Sequence, residues 1–315
     1  MTATAERARG PVVRPSGEQF EISAGGQRAV IVEVGGGLRE YQVDGRPVLE
    51  PYDVDRMRDG AHGAPLIPWP NRLGDGRYSF DGGEYQVAWT EPEKRNAIHG
   101  FLLWRPWRAV EHEADRVVMG TMLHPLDGYP FALDVRVAYE LGPGGLAVTT
   151  TAENVGERPC PYAHGQHPYL SPGTGLIDDC TLQLAGRTRI RTDERQLPTD
   201  REPVAGTAYD FLEPRRLEAT RIDHAFTDLV RDPDGLAWTR LWGPDGGCAE
   251  LWVDGTYAYV ETYTGDTLAP ARARRGLGTE PMTCPPNGFA SGEDVIRLEP
   301  GQSQVTVWGA RLTDH

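Results

Sequence analysis

The chain has 315 residues with 38 Gly and 26 Pro, and 32 Lys+Arg against 46 Asp+Glu give a formal net charge of −14. That averaged field repels phosphate backbones and anionic membranes, which argues against a nucleic-acid or membrane-surface role. The opening MTATAERARG lacks the apolar core of a secretory signal, and no apolar run approaches a membrane span, so a soluble cytoplasmic protein is expected.

In chain order, residues 1–19 are polar, Arg-rich and without pattern, and read as a mobile tail. Strand signals begin near Arg28 and run to the end without a linker or a shift in composition, so residues 20–315 read as one domain. Arg77–Phe80, the turn Asp81-Gly82-Gly83 and Glu84–Val87 spell strand, turn and strand. Leu133, Val135, Val137, Tyr139 and Leu141 alternate with mostly polar neighbours, as in a strand with one buried face. Gly142-Pro143-Gly144-Gly145 turns that strand into Leu146–Thr151, the second arm of a hairpin. The same grammar gives Ala249–Val253, Asp254-Gly255 and Thr256–Val260, and Gln304–Trp308 alternates again. Nowhere do twelve residues keep helical apolar spacing free of Gly or Pro, and no fixed repeat is present. The expected fold is all-β, an antiparallel sandwich. Cys160, Cys180, Cys248 and Cys284 show neither CxxC nor metal-finger spacing and read as free thiols.

Five segments carry chemistry outside plain strand: Pro70–Gly74 with Asn71-Arg72, Ile98–Phe101 with His99-Gly100, Gln166–Tyr169 with His167-Pro168, Asp223–Phe226, and Gly278–Thr283 with Glu280. Leu197-Pro198-Thr199, Val204–Thr207 with Asp210-Phe211, and Tyr263-Thr264-Gly265 lie between them. In this order, from about Trp69 to the C-terminus, the set resembles the motifs of the aldose 1-epimerase (galactose mutarotase-like) family. The resemblance implies a large antiparallel β-sandwich of the galactose mutarotase type, with the site on the concave face of one sheet. It implies Glu280 as general base and His167 as general acid, with His99 near the ring or anomeric oxygen. Arg72 and Asp223 would hold sugar hydroxyls, and Glu261 stands where many members carry a substrate-binding Gln. Trp104, soon after His99, is the candidate to stack on the sugar's apolar face.

The residue types suit that chemistry. Exchanging the anomers of an aldose takes a proton from the C1 hydroxyl and gives one to the ring oxygen, then reverses both steps. A carboxylate and a protonated imidazole suffice, so no cofactor, metal or nucleotide is required. The expected partner is a small sugar, with the protein a monomer or homodimer.

Each residue also has a plainer reading. His99 taken alone is a turn or core histidine, His167 is held extended by Pro168 for structure as readily as for catalysis, Glu280 is a solvated loop carboxylate, and Asp223 caps a turn. The ordered set shifts that balance. His62, His112, His124 and His315 match nothing, and His164 and His224 only adjoin motifs. Arg272, Arg274 and Arg275 form a basic run, more simply a solvated loop than an anion site. That run keeps open a hexose 6-phosphate or a sulfonated hexose such as sulfoquinovose. A non-catalytic sugar-binding protein on this scaffold and a glycoside hydrolase using Glu280 with Asp223 are rival functions for the same residues.

Overall fold

A computed structural model describes residues 13–314. The tail expected over residues 1–19 lies outside the described residues for 1–12. From Ser16 the chain is engaged: Ser16 is buried, its carbonyl accepts from Val34 N at 3.0 Å, and Gln19 opens the first strand. That strand, Gln19–Ala24, precedes the expected onset at Arg28. Its Phe20 and Ile22 alternate with Glu21 and Ser23, but two inward residues are a faint signal beside a polar start.

Two large antiparallel sheets dominate. The nine-stranded sheet holds the hairpin of Leu133–Gly142 and Gly145–Asn154, whose alternate residues are buried along both arms. Beside it lie Ser303–Asp314 and then Gly247–Val253, so the last strand of the chain sits inside the sheet. The twelve-stranded sheet runs from Gln19–Ala24 through Arg46–Leu49, Tyr169–Leu170, Leu277–Met282, Tyr259–Tyr263 and Asp223–Leu229 to Pro198–Pro203. Val135, Val137, Tyr139, Val148, Leu251, Ile31, Tyr41, Phe226 and Trp308 belong to one continuous apolar core. Burying each such side chain contributes about 1.5–3 kcal/mol. Among the described residues the only α-helix is the four-residue Gly288–Ser291, as the lack of helical periodicity implies. No helix of the described residues is long and apolar enough to cross a membrane. The four cysteines are free and buried.

One expected hairpin does not form. Gly247–Val253 pairs with Ala237–Trp242 and Ser303–Asp314, whereas Tyr259–Tyr263 pairs with Asp223–Leu229 and Leu277–Met282 in the other sheet. Asp254–Ala258 therefore crosses between sheets. Tyr257 decides this, because its ring is fully buried and its hydroxyl donates to Thr306 Oγ1 at 2.9 Å. A solvent-side hairpin turn would leave that ring in water.

Candidate active site

Strand register assembles the site. Glu261 lies directly across from Glu280, and Ala225 across from Glu261. On the other flank Gly165 pairs with Met282 and Tyr169 with Gly278, which sets His167 opposite Glu280. Alternation then sorts the faces. Phe226, Val260 and Thr262 turn inward to meet Leu251 and Val253 of the nine-stranded sheet. Asp223, Glu261, Tyr263 and Glu280 turn the other way, into a cavity of about 460 Å³ that His99, His167 and Arg72 also line.

His167 Nε2 lies 3.1 Å from Glu280 Oε1, and both side chains are buried. Glu280 Oε2 and His167 Nδ1 are buried without a hydrogen-bond partner among the described residues. Burial pushes His167 down to about 3, and burial followed by the charge of Asp223 pushes Glu280 well above the carboxylate range. Desolvation disfavours both charged forms, so burial favours the neutral carboxyl and the neutral imidazole. Burial by itself thus opposes the carboxylate and imidazolium expected from sequence.

His99 itself takes a left-handed step (φ 64°), and Gly100 continues it at φ 67°. A Cβ at Gly100 would meet Ile67 O at 2.0 Å, which is why glycine stands there. His99 Nδ1 accepts from Asn71 N at 3.2 Å, so the neutral ring carries its proton on Nε2. His99 is thus a fixed donor, its ring edge-on to His167 at 5.3 Å between centroids. Burial, then His167 and Arg72, hold its pKa well below the ordinary imidazole value.

Arg72 is gripped by Glu91 through Nε (2.9 Å) and Nη2 (3.0 Å), which leaves Nη1 free of that fork. Asn96 Nδ2 steadies the same carboxylate at 3.1 Å. Asp223 accepts from Gln196 Nε2, and Gln196 Oε1 accepts from Lys94. Glu261 Oε2 accepts from Asn71 Nδ2 at 3.3 Å, and burial, then Asp223 and Glu280, raise its pKa well above the carboxylate range. A carboxyl kept protonated can donate as well as accept, as the amide of Gln does.

Glu280, His167, His99, Arg72, Asp223 and Glu261 therefore share one cavity. Trp104 does not: it is 51% exposed and stacks against Arg58 at 4.6 Å, while its neighbour Leu103 lines the cavity. The aromatic rings at the cavity are Tyr169 and Tyr263. The basic run is neither a free loop nor part of the cavity lining. Arg272 binds Glu50 Oε1 (3.3 Å) and Pro51 O (3.0 Å), Arg274 binds Asp178 (2.9 Å) and Asp266 (3.2 Å), and Arg275 lies 3.5 Å from Glu50. Sequence reasoning missed Asn71, Glu91, Lys94, Gln196, Tyr169 and Tyr263. Of these, Asn71, Tyr169 and Tyr263 lay within quoted motifs.

His99, His167 and Glu280 each offer a ligand atom within 4.8 Å of the others, the composition of a two-histidine, one-carboxylate metal site. The surroundings oppose that use. A metal-bound histidine donates its other ring N–H to an acceptor. His99 Nδ1 instead faces the Asn71 N–H, and metal capture through Nε2 would set two donors against each other.

The large antiparallel sheets agree with comparison to known proteins. The family model described as aldose 1-epimerase matches residues 18–307, and the chain belongs to that family. YihR, an uncharacterized protein of Escherichia coli strain K12, is 36% identical over 296 residues, covering 91% of each chain. The aldose 1-epimerase of the same strain is 26% identical over 237 residues, 70% of this chain and 66% of that one. In fold, the GalM/aldose epimerase homologue from C. elegans superposes with a TM-score of 0.84 at 18% identity, covering 94% of this chain and 99% of that one.

Proposed function

We propose that the protein is an aldose 1-epimerase that interconverts the α and β anomers of a free hexose at C1. The observation that carries this reading is the His167–Glu280 contact of 3.1 Å at the wall of a sugar-sized cavity. An aldose supplies what the pair lacks. Its O1–H donates to the unpartnered Glu280 Oε2, which favours the carboxylate, and its ring oxygen accepts from His167, which favours the imidazolium. The single proton of the pair crosses to His167 as the sugar settles.

Glu280 then takes the O1 proton while His167 gives its proton to O5. The C1–O5 bond breaks as the C1=O bond forms, the C1–C2 bond rotates, and the same groups return the protons on the other face. The pair ends each cycle with the proton it began with, so nothing is consumed. His99 Nε2–H supports the charge that develops on oxygen. Arg72, aimed by Glu91, and Asp223, aimed by Gln196, hold hydroxyls at opposite polarity.

The test is the approach of freshly dissolved pure anomers to equilibrium, followed by polarimetry or NMR. Neutral, 6-phosphorylated and sulfonated hexoses belong in the panel, because Arg72 and Lys94 line the cavity although the Arg272–Arg275 run does not. Accelerated mutarotation of one class is expected. Binding without acceleration would leave a sugar-binding protein, and release of a leaving group from a glycoside would point to a hydrolase.

A further inference from the structure

His62 has no part in that proton exchange, yet it is a buried imidazole with both nitrogens engaged. Its Nε2 lies 3.2 Å from Arg272 Nη2, and its Nδ1 lies 3.3 Å from Asp59 O. Arginine only donates and a carbonyl only accepts, so His62 is held as the neutral tautomer with its proton on Nδ1. Its ring lies flat on Tyr169, with centroids 3.8 Å apart and planes 1° from parallel. Tyr169 is tied by its hydroxyl to Gly60 O at 2.9 Å, and its other neighbour in the stack is His167, 5.1 Å away and tilted by 16°. The far end is anchored where Arg272 donates to Glu50 Oε1 and Pro51 O. Simple filling of this space would be met by any apolar side chain. What the arrangement adds is a defined ring plane, passed from one flat face to the next.

We propose that Arg272, His62 and Tyr169 form a positioning column that fixes the plane of the His167 imidazole, and with it the aim of its proton. The column supplies no charge or proton to the sugar. The inference rests on His167 acting as the acid of mutarotation, and it gives His62 and Arg272 of the basic run a common purpose.

Three substitutions outside the cavity lining test it in the full-length protein: His62→Leu keeps volume without a flat face, His62→Phe keeps the flat face without nitrogens, and Arg272→Met removes the anchor. Misaiming a catalytic group by a fraction of an ångström costs about 10-fold in rate. His62→Leu should therefore lower kcat about 10-fold with KM nearly unchanged, His62→Phe should restore most of it, and Arg272→Met should fall between. On a His167→Asn background the His62→Leu effect should vanish, as coupling through one residue requires. Equal kcat for the Leu and Phe variants at matched melting temperature overturns the column, as does an undiminished loss in the His167→Asn background. Should His62→Leu not fold, Arg272→Met with and without His167→Asn makes the same test. A wild-type protein that fails to mutarotate any sugar would instead remove the functional reading beneath it.

Discussion

Gln166, which ends the strand Gly165–Gln166, and His167 just after it are both buried, yet they turn to opposite sides of the chain. Gln166 enters the core, where its amide donates to Tyr139 Oη at 3.1 Å and its carbonyl accepts from Trp308 Nε1 at 3.2 Å. His167 faces the cavity, its Nδ1 without a hydrogen-bond partner among the described residues. Two glutamates repeat the contrast. The side chains of Glu250 and Glu280 are each 3% exposed, but Glu250 is held by Arg240 (2.8 Å) and Arg311 (2.5 Å), whereas Glu280 among the described residues pairs only with His167. A buried polar group with every valence filled fixes the fold. One left unfilled in an accessible cavity is waiting for a ligand, and its unmet desolvation is a standing cost to stability.

Exchanging charge for shape at the two glutamates should break the contrast most sharply. Glu280→Gln, and His167→Asn with it, should lower kcat by roughly 10²–10⁴-fold, the usual share of general acid–base catalysis, while sugar affinity measured by calorimetry largely persists. Near-normal turnover in Glu280→Gln would move the base to Glu261. Glu250→Gln should do the reverse, leaving kcat unchanged and lowering stability by about 1–2 kcal/mol in thermal melts, a value kept modest because Arg311 is 38% exposed.

The support around Arg72 gives a smaller effect. Glu91→Gln keeps the shape but weakens the fork, and should raise KM about 10-fold with kcat little changed. A KM equal to wild type would show that Arg72 needs no aiming.

Two pH measurements sharpen the contrast further. A second proton enters the His167–Glu280 pair only near the depressed imidazole value of about 3, and the first leaves only above the raised range of Glu280. kcat/KM should therefore show no His167 limb near about 6.5, where an ordinary histidine titrates. A limb at about 6.5 would show that His167 is not shielded. Stability follows from the same shift. A carboxyl whose pKa is raised on folding binds more protons folded than unfolded, so it costs stability as pH climbs above its ordinary value of 4.5. Glu280→Gln should thus melt slightly higher than wild type at pH 7, by about 1 kcal/mol, and the gain should fade as pH falls toward 4.5.

What could be read from sequence divides along the same line. Alternation disclosed Leu133–Gly142 and its hairpin partner because one face is apolar throughout. The motif residues His99, His167 and Glu280 stood out as polar groups among Gly, Pro and aromatics. Their supports did not, since Glu91 grips Arg72 and Gln196 grips Asp223 from segments without pattern. Closeness in sequence misled at Trp104, where the left-handed steps at His99 and Gly100 precede a loop that sets Leu103 at the cavity and leaves Trp104 outside. Asp254-Gly255 misled as well, because a turn dipeptide between two strands reads the same whether the chain doubles back or crosses to another sheet. Burial of Tyr257, a tertiary fact, made the choice.

The inner place of Ser303–Asp314 also bears on how the protein is made. Its partners Glu153 and Leu251 leave the ribosome well before Ser303 and Ala310, to which they pair. Until then the strands on either side of it present open edges, the surfaces through which nascent chains aggregate. Closure of the nine-stranded sheet therefore waits until Ser303–Asp314 has been made. Between the synthesis of Leu251 and that of Ser303 those edges stay open, so growth temperature and chaperone supply are expected to govern soluble yield.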